Sequence, residues 1–269
     1  MIRLASAKDR ETAVKLCQGS IWDGTTVLNA FDSKCKDHAE ADREYCSIWL
    51  GGERTESYLI CKTGQTYRLI GEPEEKDWDE LCGFLQMQGG KLSGSSRLIW
   101  DCSRHMKNML PETAAVCCPR MVFRGEFPTE QSPQVQQSQS LWKIYEVLSD
   151  NGKNKRFISH VSQDEFTARL RFVQRGGAQF FEVRQEENPV SVGTLLLPKR
   201  SNYALIINLC TKSRYRKKGY AAQIVRQMCR VAEQQGRTPV LDCGSKSLEQ
   251  YYQRFGFCTE DYWQSIQLG

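Results

Sequence analysis

Four cations crowd one short stretch of the chain. In SRYRKKGYAAQIV, residues 213–225, Arg214, Arg216, Lys217 and Lys218 stand just before Gly219, after which the sequence turns apolar. A helix starting at Gly219 would offer unpaired backbone N–H groups and the positive end of its dipole. Those donors favour a phosphate, glycine lets the backbone approach it, and Arg216, Lys217 and Lys218 add formal charge around the same point. The geometry suits a pyrophosphate. The competing reading is a solvated turn in front of a core helix, and the neighbouring elements decide between the two.

Before the turn, YALIINLC (203–210) is almost unbroken apolar, the pattern of a strand buried on both faces. After it, GYAAQIVRQMCRVAEQQG (219–236) places Tyr220, Ala221, Ile224, Val225, Met228, Val231 and Ala232 on one helical face, and Gly236 stops the helix. Upstream, LWKIYEVLSDNG predicts a short helix closed by Gly152. SQDEFTARLRFVQRGG predicts another, with Ser162 and Glu165 in a capping-box pattern and Gly176-Gly177 at its end. AQFFEVR and PVSVGTLLL read as strands, as does TPVLDC; SLEQYYQRF reads as a helix and FCTEDYWQSIQL as a strand pair or one long strand. The predicted order of this half is ααβββ-α-β-α-β.

Within that order, Arg216-Lys217-Lys218-Gly219-Tyr220-Ala221 fits [RQ]-x-x-G-x-[GA], and Tyr252-Gln253-Arg254-Phe255-Gly256-Phe257 fits Y-x-x-[LF]-G-F. Over residues ~141–269 the chain resembles the GNAT (general N-acetyltransferase) superfamily in motifs, spacing and element order. The resemblance implies acetyl-CoA as co-substrate, with its pyrophosphate cradled by Arg216, Lys217, Lys218, Gly219, Tyr220 and Ala221. It implies that the pantetheine arm pairs with Leu209, Cys210 and Thr211, where a backbone N–H would polarise the thioester carbonyl. The strand Pro239 to Cys243 would splay away to admit the thioester, and Tyr252 would protonate the departing thiolate. The family often carries a cofactor-contacting Asn seven residues before that tyrosine; here Ser245 stands in its place, and the resemblance makes it a cofactor-binding candidate. No carboxylate lies in 203–211, where a base is frequently found, and Asn208 is that strand's only central polar residue. Asp242 or a water chain is left for that role. Cys210 and Cys243 read as buried, inert thiols, an acyl-cysteine route being the alternative.

The first half differs in charge. Residues 1–140 are net acidic and residues 141–269 net basic within an overall charge of +5, so anion handling belongs to the second half. EFPTEQSPQVQQSQS (126–140) has almost nothing apolar and predicts a linker between residues 1–125 and 141–269. Before it, SAKDRETAVKLC predicts a helix capped by Ser6 or Asp9, and DWDELCGFLQMQ a helix with an acidic first turn. SIWLGG, SYLICKTGQTYRLIG (a hairpin turning at Thr63-Gly64) and SSRLIW predict strands. QMQGGKLSG is Gly-rich with no buried strand before it. By analogy with tandem members of the superfamily, the first half resembles a degenerate GNAT-like domain without cofactor. The expected fold is α/β, an α+β mixed sheet flanked by helices in two GNAT-like domains.

No apolar run reaches the ~20 residues of a membrane span, and the N-terminal residues carry no secretory pattern. Both predict a cytoplasmic protein whose 12 cysteines are free thiols. Cys35/His38 and Cys102/His105 lack the knuckle spacing of a zinc site, and no metal is expected. The predicted activity is transfer of an acetyl or other acyl group to a small-molecule or peptide amine in a ternary complex, with neither nucleic acid nor membrane as partner. A catalytically silent acyl-CoA-binding or protein-interaction module is the rival. A nucleic-acid binder would want aromatics interleaved over a broad basic face, and only Tyr215 and Tyr220 are near.

Overall fold

The computed structural model describes residues 1–33, 45–52, 56–106, 117–129, 132–150 and 161–268. In chain order the elements are β1 (Arg3–Leu4), α1 (Arg10–Gln18), α2 (Ile21–Ser33), β2 (Cys46–Gly51), β3 (Tyr58–Thr63), β4 (Thr66–Gly71), α3 (Trp78–Gln88), β5 (Gly90–Ser95), α4 (Ser96–His105) and β6 (Cys118–Phe123). There follow β7 (Val135–Gln137), α5 (Leu141–Ser149), α6 (Gln163–Arg175), β8 (Gln179–Gln185), β9 (Asn188–Leu196), β10 (Tyr203–Thr211), α7 (Tyr220–Gln234), β11 (Thr238–Asp242), α8 (Lys246–Gln253) and β12 (Phe257–Leu268). The second half keeps the predicted order, and its last element is one strand of 12 residues.

All 12 strands form a single mixed sheet, ordered β1-β2-β3-β4-β5-β12-β6-β11-β10-β9-β8-β7. The two halves are built alike. In each, an antiparallel meander (β2-β3-β4, β8-β9-β10) meets one parallel neighbour (β4 with β5, β10 with β11). Their seam is an exchange. β6, from the first half, lies between β11 and β12, while β12, from the second, lies between β6 and β5. The helices cover both faces, giving four apolar clusters, two in each half of the sheet.

Three local readings need correction. SSRLIW is not a strand: it opens α4, where the Ser95 hydroxyl accepts from the Leu98 N–H (3.3 Å) and Ile99 and Cys102 bury one helical face. The strand lies just before, in the Gly-rich GKLSGS; β4 and β12 supply hydrogen-bonding partners on either side, and Leu92 is buried. The hairpin turns at Gly64-Gln65, one residue later than predicted, with Gly64 at φ +58°. Within 126–140, Val135–Gln137 adds to the sheet edge as β7 and Val135 is buried, because its backbone finds β8 as a partner. At α6 the Ser162 hydroxyl caps as predicted, accepting from the Glu165 N–H (3.1 Å), whereas Glu165 pairs with Arg169.

Candidate functional site: a parted strand and a basic helix start

β10 and β11 pair over Tyr203–Ile206 and Thr238–Leu241 and then part. On its other side β10 stays with β9, but its register slips between Ile207 and Cys210, and Asn208 sits at φ +55°. Ile207, Asn208 and Leu209 are each half-open in the middle of a strand whose earlier residues are buried. Beyond Ile206, therefore, the β10 edge facing β11 offers backbone groups that no strand takes up. The Thr211 end is held by Ser191, whose hydroxyl lies 2.8 Å from the Thr211 hydroxyl and donates to the Cys210 carbonyl (3.1 Å).

The basic turn follows at once. Arg216 donates from Nε to the Thr211 carbonyl (3.3 Å), so its guanidinium stays at the strand's end. Lys217 (φ +62°) and Gly219 (φ +83°) are left-handed, and Gly219 is the N-cap of α7. A Cβ on Gly219 would meet nothing within 4 Å. The glycine is thus set by backbone conformation, and the space before it is open. The first backbone bond into α7 runs from Gln223 to the Gly219 carbonyl (3.1 Å). Among the described residues the N–H groups of Lys217 to Ala222 make no backbone hydrogen bond. Two of the cations have a further local role: Arg214 and Lys218 lie over the Tyr215 ring at 4.8 and 5.3 Å. Such a turn can hold a phosphate through backbone donors, helix dipole and charge together.

Tyr252 and Ser245 stand on α8. Ser245 caps the helix, its hydroxyl accepting from the Leu248 N–H (3.3 Å) and lying 3.0 Å from Ser247 Oγ. Tyr252 is buried in the α7-side cluster with Cys243 and Phe257. Burial raises its phenol above the ordinary value near 10, and Cys243 and Tyr251 add to the rise. It therefore stays protonated through neutral pH. Gly256, the glycine after this helix, is at φ +90°, and a Cβ there would fall 2.6 Å from Gly125 Cα. Its place in the Y-x-x-[LF]-G-F pattern is thus a packing requirement between the α8–β12 turn and the end of β6.

The cysteines make no obvious nucleophile. Cys210 donates to the Val147 carbonyl (3.5 Å) and Cys243 to the Ser245 carbonyl (3.0 Å), and burial pushes the Cys243 thiol up. No disulfide joins the described cysteines. Cys102 is buried beside Cys82, while the His105 ring stacks on Trp78 at 4.8 Å and meets Glu75 at 3.2 Å; Cys35 and His38 lie outside the described residues. No group of three or more metal-ligating side chains comes together among the described residues, and none of their helices is long and apolar enough to cross a membrane.

What the sequence reading missed is a charge cluster where the strands part. Arg120, on β6, is directly opposite Asp242 in the ladder and almost fully buried. Its guanidinium bonds Asp23 of α2 (2.7 and 2.9 Å) and Asp242 (3.2 Å), with Asp261 of β12 at 3.8 Å. Arg68 of β4 is 3.8 Å from Asp23. Asp23, Arg120 and Asp261 also line a cleft of about 1510 Å³ between α1–α2 and the α4 side of the first half.

In the first half the place matching the basic turn is acidic. β4 leads through GEPEEKD into α3, where Asp77 is buried and accepts from the Glu74 N–H (3.0 Å). Glu80, in the first turn, is taken by the Ile2 N–H (2.9 Å) and the terminal ammonium (3.0 Å). The protein's own carboxylates occupy that helix start, and they repel a phosphate.

Residues 141–257 match the model of the Acetyltransferase (GNAT) family. No curated protein sequence matches the chain. Among solved structures, a Drosophila protein superposes with a TM-score of 0.69 at 12% identity, covering 100% of this chain and 98% of its own. A GNAT-family acetyltransferase from Colwellia psychrerythraea gives 0.60 at 12% identity over 100% of both chains. A tandem GNAT protein from the clavulanic acid biosynthesis pathway gives 0.61 at 8% identity, covering 100% of this chain and 98% of that one. The chain thus has the fold of tandem GNAT proteins, and its residues 141–257 belong to the acetyltransferase (GNAT) family.

Proposed function

We propose that the second half of the chain transfers an acyl group, acetyl foremost, from coenzyme A to an amine. The observation that carries this reading is one juxtaposition: the open donors of Lys217 to Ala222 begin where β10 has lost β11 as a partner. The pyrophosphate would lie on Arg216, Lys217, Lys218, Gly219, Tyr220 and Ala221. The pantetheine arm would lie along Leu209, Cys210 and Thr211, adding a strand to the free edge. Ser245 serves as the cap that fixes α8, and Tyr252 gives its proton to the leaving thiolate. Because both nearby thiols are buried and hydrogen-bonded, transfer is direct, within a ternary complex. The acceptor is a small-molecule or peptide amine, and the free thiols suit a reducing compartment such as the cytoplasm. Acetyl-CoA turnover to free thiol, screened over amino acids, polyamines, aminoglycosides and peptides, tests the reading. Tight binding without turnover on any amine would favour a silent binding module.

Two expectations concern the nucleotide end. At ~100 times its dissociation constant, acetyl-CoA stabilises a one-site protein by ~2.7 kcal/mol through mass action. Arg216→Glu places a negative charge beside the phosphates and should remove most of this gain while leaving the free protein folded, since Arg216 is exposed. Thermal melts with and without acetyl-CoA measure it, and an undiminished shift in the variant would move the site elsewhere. Because the corresponding turn of the first half is acidic, calorimetry should find one coenzyme A per chain. Two equivalent sites would overturn the cofactor-free reading of the first half.

A further inference from the structure

The Arg120–Asp242 pair ties the two halves together at the parting of β10 and β11, and no role assigned above uses it. Side chains alternate along β11. Val240 packs in the cluster of α5 and α6, Leu241 and Cys243 in the cluster of α7 that holds Tyr252. Asp242 therefore lies on the sheet face opposite Tyr252. Its partner Arg120 shares that face, being opposite in register, and its guanidinium lies 5.4 Å from the Trp22 ring on α2. Asp23 takes the shorter bonds of Arg120, leaving Asp242 the Nε contact to one oxygen. The other Asp242 oxygen has no hydrogen bond among the described residues. The Asp242 side chain is 40% exposed, the Arg120 side chain 3%. A buried, immobilised cation thus backs a carboxylate that remains open.

We propose that Asp242 receives the proton of the attacking amine and that Arg120, carried across on β6, is the positioning residue that holds Asp242 for this task. The inference rests on the acyl-transfer reading and adds its missing base. The amine nitrogen attacks the thioester carbonyl carbon, and the new C–N bond forms as an N–H proton passes to Asp242. The C–S bond then breaks, and the thiolate takes the Tyr252 proton on the other face. Asp242 returns one proton to solvent and Tyr252 regains one, so the sum is amide plus free thiol. Acid and base on opposite faces let the amine enter from the side of α2, where the large cleft lies, while the thiol departs towards α8.

The charges facing Asp242 set its behaviour. Arg120 of β6 and Arg68 of β4 favour its anion, Asp23 of α2 opposes it, and Asp261 of β12 competes for Arg120. Loss of water on the side of the carboxyl turned to the sheet outweighs the arginines and, with its outer side still open, raises it to about 6, so the base is ionised at neutral pH and lost as pH falls through that value.

Single-turnover rates against pH, with one acceptor throughout so that its own ionisation contributes equally to every variant, test the proposal. The wild type should lose activity below a midpoint near 6. Asp242→Asn should slow the chemical step by roughly 10²–10⁴-fold and abolish that limb. Arg120→Gln removes the cation and should move the limb upward by about 1–3 pH units. Asp23→Asn, nearly isosteric, removes a like charge and should move it downward, with a thermal melt confirming that the variant, which weakens the buried Arg120 pair, is folded. Arg120→Lys keeps the charge and should keep the midpoint near the wild-type value while the rate falls. ¹³C NMR titration of the Asp242 carboxyl should follow the same shifts without turnover. Lack of turnover with every amine overturns the acyl-transfer reading and the base with it. Turnover whose acidic limb ignores these substitutions overturns only the roles of Asp242 and Arg120. A purely structural Arg120 would cost stability and leave the midpoint where it was.

Discussion

Tyr252→Phe should bind coenzyme A normally and perform the chemical step roughly 10²–10⁴-fold more slowly, the usual contribution of a positioned general acid. The substitution keeps the ring. Its edge contacts with Tyr251 (5.3 Å) and Phe257 (5.9 Å) depend on shape, and Phe reproduces them. Only the proton donor goes. The phosphates bind at the turn before α7, so affinity should persist. Tyr251→Phe is the control: that ring packs on Phe255 and under Arg254, and its loss of a hydroxyl should leave the rate near wild type. Because burial holds the Tyr252 phenol above its ordinary range, no basic limb due to it should appear below about pH 10. Single-turnover measurement is needed, since slow product release would mask the effect. Full activity in Tyr252→Phe, or a loss confined to Tyr251→Phe, would remove Tyr252 from the mechanism.

The legible parts of this chain are those whose signals are local. α7 announces itself through an apolar stripe closed by Gly236, and the turn before it through charge beside glycine. Tyr252 could be named because a glycine and a phenylalanine follow it at fixed spacing. The misread parts draw their conformation from distant neighbours. GKLSGS has poor strand propensity, and only its pairing with β4 and β12 makes it a strand. Leu98-Ile99-Trp100 looks like a short strand when read alone, yet the Ser95 cap and the three-residue spacing of Ile99 and Cys102 make it helical. CPRMVF carries no local signal of its place, because nothing in those six residues tells that they insert between β11 and β12. The same gap hid the Arg120 cluster. Asp242 was in view as a possible base, but its partner is 122 residues away in sequence and reaches it only through the strand exchange.

That exchange should make residues 126–269 unable to fold alone. They lack β6, and with it Met121, Val122 and Phe123, all buried. Burying three such side chains contributes on the order of 5–9 kcal/mol, against a net stability of about 5–15 kcal/mol for a domain. The loss reaches both clusters of the second half, since Val122 packs on one face of the sheet and Met121 and Phe123 on the other. It also leaves the long edges of β11 and β12 unpaired, which invites aggregation. Residues 1–125 alone should fare no better, because β12 supplies the strand beside β5 along Trp263–Leu268. Produced together as two separate chains, however, the pieces should assemble: each holds the strand that the other lacks, and no covalent link at 125–126 is needed for the pairing. The measurement is cooperative thermal unfolding and acetyl-CoA binding of each piece alone and of the pair. A monomeric 126–269 that melts cooperatively and binds acetyl-CoA like the whole chain would show that β6 is dispensable to the second half.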